Sequence, residues 1–179
     1  MIINPLDLIM FWMTSISYKQ ATQEDIADVL SLEESLFGNK QDYKPEIREG
    51  YEKFLELGGI INLQYVDGKL NAILASINSS NLNASILDLP EDSPFRMNYE
   101  SGRLSSRNGQ WIYEFAGIGA ERRFLYKRFR DFSNAFGFVP ASNKEAVTEF
   151  AKVFSQDGTV PNLYDPEERD VVFTHPKNG

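Results

Sequence analysis

Trp111-Ile-Tyr-Glu-Phe-Ala-Gly-Ile-Gly-Ala-Glu-Arg-Arg123 joins a strand-like apolar run to a Gly-Ile-Gly turn, and an amphipathic helical pattern follows at once. Glycines at 117 and 119 allow the main chain to approach a ligand closely. The first turn of the following helix leaves N–H groups unpaired at the positive end of its dipole, an arrangement that suits phosphate. Beyond the turn, Leu125, Phe129, Phe132 and Phe136 repeat at helical spacing on one face while Arg123, Lys127 and Arg130 lie on another, and Gly137 ends the pattern.

The bulk properties narrow the classes. With 179 residues, 42% hydrophobic, the chain has enough apolar mass for one core, so a single domain is expected over residues 14–179. A net charge of -8 argues against nucleic acid or an anionic membrane as partner. The absence of cysteine removes disulfides, thiolate metal sites and a cysteine nucleophile, so a cytoplasmic protein without a metal is expected. The single histidine, His175, lies close to the chain's end and is expected in a frayed terminus, which leaves a Ser-His-Asp triad without support. Residues 1–13 are apolar but lack a basic start, are broken by Pro5 and Asp7 and are too short to span a bilayer. They read as an extension that packs on the domain or mediates self-association, for instance as a homodimer.

The remaining elements follow from periodicity and turn chemistry. Ser15 to Gln20 alternates as a short strand, and Thr22 opens a capped helix carrying Ile26, Val29, Leu30, Glu33, Leu36 and Phe37. Pro45 is expected to open a second helix through Tyr51 and Phe54 to Gly58-Gly59. Asp67-Gly68 joins two β-rich runs into a hairpin. Residues 78–110 form a long polar connection, read as a substrate-side loop holding one extra strand. Asn143 caps a helix with Ala146, Phe150 and Phe154, and a loop with Pro161 and Pro166 leads to a last strand, Asp170 to Thr174.

In this order the elements resemble the GNAT superfamily of acyl-CoA-dependent N-acyltransferases. Three stretches carry the resemblance: Ala21-Thr-Gln-Glu-Asp-Ile-Ala-Asp-Val-Leu-Ser-Leu-Glu33 with the hairpin at the expected distance, Asn143-Lys-Glu-Ala146, and Glu114-Phe-Ala-Gly-Ile-Gly119, which is similar to the family's pyrophosphate loop. The resemblance implies an α/β (α+β) fold, a twisted, mixed and mostly antiparallel sheet flanked by helices. It implies acetyl-CoA or another acyl-CoA as donor and an amine of a small molecule or protein as acceptor. Ala116, Gly117, Ile118, Gly119, Ala120, Arg122, Arg123 and Asn143 are the implied cofactor contacts. Two registers are open: phosphate-facing amides at Gly117 to Gly119, or a strand that runs to Ile118 with those amides at Ala120 to Phe124.

This sequence also departs from the pattern. Glu114 stands where Arg or Gln is usual, and Phe150 where a tyrosine usually protonates the leaving thiolate. Glu114 is the first candidate for the general base, since a half-buried carboxylate between Tyr113 and Phe115 should have a raised pKa. Its bland counterpart is a surface glutamate on an edge strand. Glu33 and Glu34 are runners-up, although consecutive carboxylates on a helix usually face solvent. Tyr113 and Tyr164 are the replacement acids. The departures leave a second reading, a GNAT-like binding or regulatory module without catalysis.

Overall fold

The computed structural model describes residues 14–39, 45–118 and 134–175. The N-terminal extension, Gly119, Ala120, Arg122, Arg123 and the helical pattern from Leu125 to Phe132 lie outside them. In chain order the elements are β1 (Ile16–Gln20), α1 (Ile26–Phe37), α2 (Arg48–Glu56), β2 (Ile60–Val66), β3 (Lys69–Asn78), α3 (Pro94–Glu100), β4 (Gln110–Gly117), β5 (Ala135–Pro140), α4 (Lys144–Ala151), β6 (Ser155–Pro161) and β7 (Arg169–His175).

One seven-stranded sheet runs β1-β2-β3-β4-β5-β7-β6, antiparallel except where β4 meets β5. The expected hairpin forms between β2 and β3 with Asp67 at φ 49 and Gly68 at φ 76, the left-handed angles that Asp-Gly tolerates. Ahead of α1, the Asp25 carboxylate accepts the Thr22 backbone N–H at 2.8 Å, completing the capping box. Ile26, Val29, Tyr51, Phe54, Ile61, Leu63, Ile73 and Trp111 pack in the core between the sheet and α1 and α2. Leu74, Ile112, Phe150, Phe154 and Phe173 form a second cluster on the opposite face, under α4.

Several expectations are corrected. The connection from 78 to 110 holds no strand: Asn78 and Asn83 cap two 3-10 turns, Ser79–Asn81 and Ala84–Asp88, and Ser93-Pro94 opens α3. Pro at the first helical position and asparagine caps outweigh the short apolar runs. Pro45 does not open α2, which begins at Arg48 after an extended Ile47. Phe136 and Gly137 belong to β5, because Gly137 packs against Ile112 in the parallel ladder, where a Cβ would stand 3.4 Å from Ile112 Cβ. The loop after α4 contains β6, whose residues are mostly exposed and whose ladder is bulged around Gly158, so it carries no apolar alternation to read. His175 is no frayed end: it closes β7 opposite Ala135 with its ring edge-on to Phe154 at 5.9 Å. Among the described residues no helix is long and apolar enough to cross a membrane.

Candidate active site

The geometry starts from a single extra residue in β4. Glu114 pairs with Ala75 and Ile112 with the next residue, Ser76, so Tyr113 is a β-bulge. Strict alternation would send Tyr113 and Glu114 to opposite faces. With the bulge both face α1 and α2: the Tyr113 ring lies 6.3 Å from that of Tyr51, and Glu114 Oε2 is hydrogen-bonded to the Tyr51 hydroxyl at 2.8 Å. Phe115 then turns to the other face, edge-on to Phe150 at 6.3 Å.

Just past the bulge the sheet divides. β4 is paired with β5 only from Gln110 to Ile112, opposite Ala135 to Gly137. Beyond that point β4 continues along β3 to Gly117, while β5 continues along β7 to Pro140. Two cavities adjoin this divergence, and Phe37 at the end of α1 lines both.

The first cavity, about 290 Å³, is acidic and aromatic, with Glu33, Glu46, Glu114, Trp111, Tyr113 and Phe138 in its wall. Its far side is fixed by the buried Arg103–Asp170 ion pair, with Asn162 donating to Asp170 at 2.7 Å and the Arg103 guanidinium lying over the Phe138 ring at 4.2 Å. Glu46 is buried and accepts from Ile47 N at 2.9 Å and Ser93 Oγ at 2.9 Å; burial pushes its carboxyl above the usual range. Glu33 is 1% exposed, against the expectation of a solvated helix face, while Glu34 beside it is exposed. The wall of this cavity thus sets three carboxyl groups among aromatic rings.

Glu114, Glu33 and Tyr51 form one cluster. Tyr51 is fully buried, and its hydroxyl is hydrogen-bonded to Glu33 as well as to Glu114. Burial, followed by the negative charge of Glu33 and its hydrogen bond, pushes the Glu114 carboxyl well above the ordinary carboxylate range; Tyr51 opposes this. The bland reading of Glu114, a surface side chain on an edge strand, is therefore overturned: β4 is central and Glu114 is half-buried in the wall of the first cavity. Tyr113 and Tyr164 also line this cavity. Burial raises the Tyr113 phenol well above its ordinary value and pushes that of Tyr164 up to about 12.

The second cavity, about 260 Å³, lies on the other side of the divergence, between β4 and α4, with Ala116, Gly117, Asn143, Ala146 and Phe150 among its lining residues. Asn143 caps α4, accepting the Ala146 N–H at 3.1 Å. Among the described residues no tyrosine lines this cavity, and Phe150 is packed against Phe154 and Phe173. The structure thus brings Ala116, Gly117 and Asn143 together. Ile118 stands apart, 49% exposed, with its N–H donated to Asn71 O at 3.0 Å and so occupied within the sheet. Gly119 and Ala120 to Phe124, on which the two registers differ, lie outside the described residues.

Tyr51 and Glu46 were missed by the sequence reading. Tyr51 lies on the face of α2 that also buries Gly50 and Phe54, so its hydroxyl needs a buried partner.

Solved structures with the same arrangement of elements decide the fold. The ribosomal-protein-S18-alanine N-acetyltransferase from Escherichia coli superimposes with a TM-score of 0.62 at 11% identity, over 89% of this chain and 92% of that one. An N-acetyltransferase from Staphylococcus aureus gives 0.61 at 13% identity, over 89% and 97%. Naa50 from Arabidopsis thaliana, in complex with the bisubstrate analogue CoA-Ac-MVNAL, gives 0.61 at 15% identity, over 89% and 97%. The fold is that of the GNAT N-acetyltransferases. No family model and no curated protein sequence matches the chain. Within the GNAT fold, the β4 bulge and the divergence of β4 from β5 bring the two cavities side by side.

Proposed function

We propose that the chain is an acyl-CoA-dependent N-acyltransferase, moving an acetyl or longer acyl group to an amine. The observation that carries this reading is the divergence of β4 from β5, which sets an acidic, aromatic cavity against a second cavity lined by Ala116, Gly117 and Asn143. Small residues at 116 and 117 leave room for the uncharged pantetheine arm of an acyl-CoA. The diphosphate then falls to the segment holding Gly119, Ala120, Arg122 and Arg123. Neighbours of the same fold are named as acetyltransferases, one of them bound to a coenzyme A conjugate of a peptide.

The acyl-CoA supplies an activated thioester carbonyl; positioning, charge and proton removal fall to the protein. An ammonium is drawn toward the carboxyl groups of Glu33, Glu46 and Glu114, and Glu114, one bulge away from the divergence, is the group placed to take its proton once it has released its own. The free amine attacks the carbonyl, the carbon–sulfur bond breaks, and the thiolate takes the second proton from nitrogen. Tyr113 and Tyr164 are poorly suited to supply that proton, since both stand at the first cavity with raised phenols. Phe150 favours a second reading, a module that binds acyl-CoA without turnover. Release of free thiol from acetyl-CoA with a panel of small amines and peptide N-termini separates the two: amine-dependent release is expected, and none with any amine would leave only the binding module.

A further inference from the structure

We propose that Tyr51 is a positioning residue that fixes Glu33 and Glu114 as one proton-sharing unit, and that this unit, rather than either carboxylate alone, receives the proton of the acceptor amine. The inference rests on the acyltransferase reading for its chemistry but not for its geometry. Two carboxyl groups meet one hydroxyl here: the Tyr51 hydroxyl is hydrogen-bonded to Glu33 and, at 2.8 Å, to Glu114. A phenol has one proton to donate, so it cannot donate to both carboxyls at once, and its second hydrogen bond needs a proton from a carboxyl. At least one carboxyl must carry a proton. Two adjacent carboxyl groups hold it between them because both cannot readily ionise at such range.

The cluster is built in layers. Glu33 from α1 and Glu114 from the β4 bulge line the first cavity; Tyr51 from α2 stands behind them, fully buried and braced edge-on by Phe95 at 5.7 Å and Phe54 at 6.5 Å. Tyr51 therefore acts through the two carboxyls and does not reach the substrate. Among the described residues, the other ionisable groups facing the unit are Glu46 ahead of α2, Tyr113 on β4 and Tyr164 between β6 and β7, with Arg103 and Asp170 paired on the far wall. The proton transfer balances simply. After the shared proton has left to solvent, the dianionic unit takes one proton from R–NH3+ and returns to its singly protonated form, leaving R–NH2 to attack the thioester.

Two substitutions should move the unit in opposite directions. Tyr51→Phe keeps the ring and removes a donor to the charged form, so the shared proton should be held to higher pH. Glu33→Gln removes the neighbouring charge, so Glu114 should release its proton at lower pH. The first readout is the C=O stretch of a protonated carboxyl in infrared spectra of the full chain titrated with alkali. The wild type should keep this band at neutral pH, lose it later in Tyr51→Phe and earlier in Glu33→Gln. The second readout is the rising limb of kcat/KM with pH. At a fixed pH on that limb Tyr51→Phe should lose roughly tenfold, with the plateau at higher pH retained. A wild type without the band at neutral pH overturns the proposal, as does a band that titrates at the wild-type pH in Tyr51→Phe. Should Tyr51→Phe fail to fold, an unmoved band in Glu33→Gln decides against it. Absence of thiol release in the wild type would remove the acyltransferase reading while leaving the infrared result to judge the unit.

Discussion

Glu114→Gln separates the stability role of this side chain from its chemistry. Glutamine is close in shape to a protonated carboxyl, so it can keep the contact with the Tyr51 hydroxyl that Glu114 makes. The sign follows from linkage. Glu114 is held well above the ordinary carboxylate range in the fold, so its favourable contribution is complete below the unfolded-chain pKa of about 4.3 and is lost as pH rises toward the folded value. In that window the folded chain keeps one proton that the unfolded chain has released, and stability falls by about 1.4 kcal/mol per pH unit from this group alone. The amide introduced by Glu114→Gln has no such proton to release. Above the unfolded-chain pKa, and until Glu114 ionises in the fold, the stability of Glu114→Gln relative to wild type should therefore improve with pH by up to about 1.4 kcal/mol per unit, a widening of roughly 3–6 °C in Tm per unit for a chain of this size. Urea or thermal unfolding of the two proteins at a series of pH values measures it. Parallel pH dependences would refute the proton-holding Glu114. In the same variant kcat/KM should fall by roughly 10²–10⁴-fold, the contribution of a general base.

Asn143→Ala removes the side chain that accepts the Ala146 N–H and should cost about 1 kcal/mol, seen as a Tm lower by roughly 2–4 °C; an unchanged Tm would mean α4 is held by packing alone. Phe150→Tyr brings a phenol to the wall of the second cavity, so kcat should rise if thiolate protonation limits turnover. An unaltered kcat, with the variant folded, places the slow step elsewhere.

The fold was legible where local chemistry and periodicity agreed. Thr22 to Asp25, Asp67-Gly68 and Asn143 each fix a backbone geometry through their own side chains or angles, and all three sit where expected. Elements held by distant partners were not legible. The start of β5 reads as the tail of a helix because Phe136 keeps helical spacing with residues before it, although its pairing with Trp111 makes it a strand. β6 is an exposed edge strand whose pairing with β7 leaves no apolar pattern. The site was half visible. Glu114 was noticed for its aromatic neighbours, but the bulge that aims it depends on the register against β3. Glu33 shares a face with Ile26 and Val29, and that phase outweighed its pairing with Glu34 as a cue to burial. The contact between Tyr51 and both carboxyls joins residues 18 and 63 positions apart, which no local pattern encodes.

The central claim is that the cavity beside Ala116, Gly117 and Asn143 holds the arm of an acyl-CoA, and calorimetric titration with acetyl-CoA tests it most directly when paired with Gly117→Trp, whose indole would fill that space. Wild type should release binding heat, with the ligand at a hundredfold excess over its Kd stabilising the fold by roughly 2.7 kcal/mol. The folded Gly117→Trp variant should show neither effect. No heat from the wild type at millimolar acetyl-CoA, or equal binding by Gly117→Trp, would contradict the account.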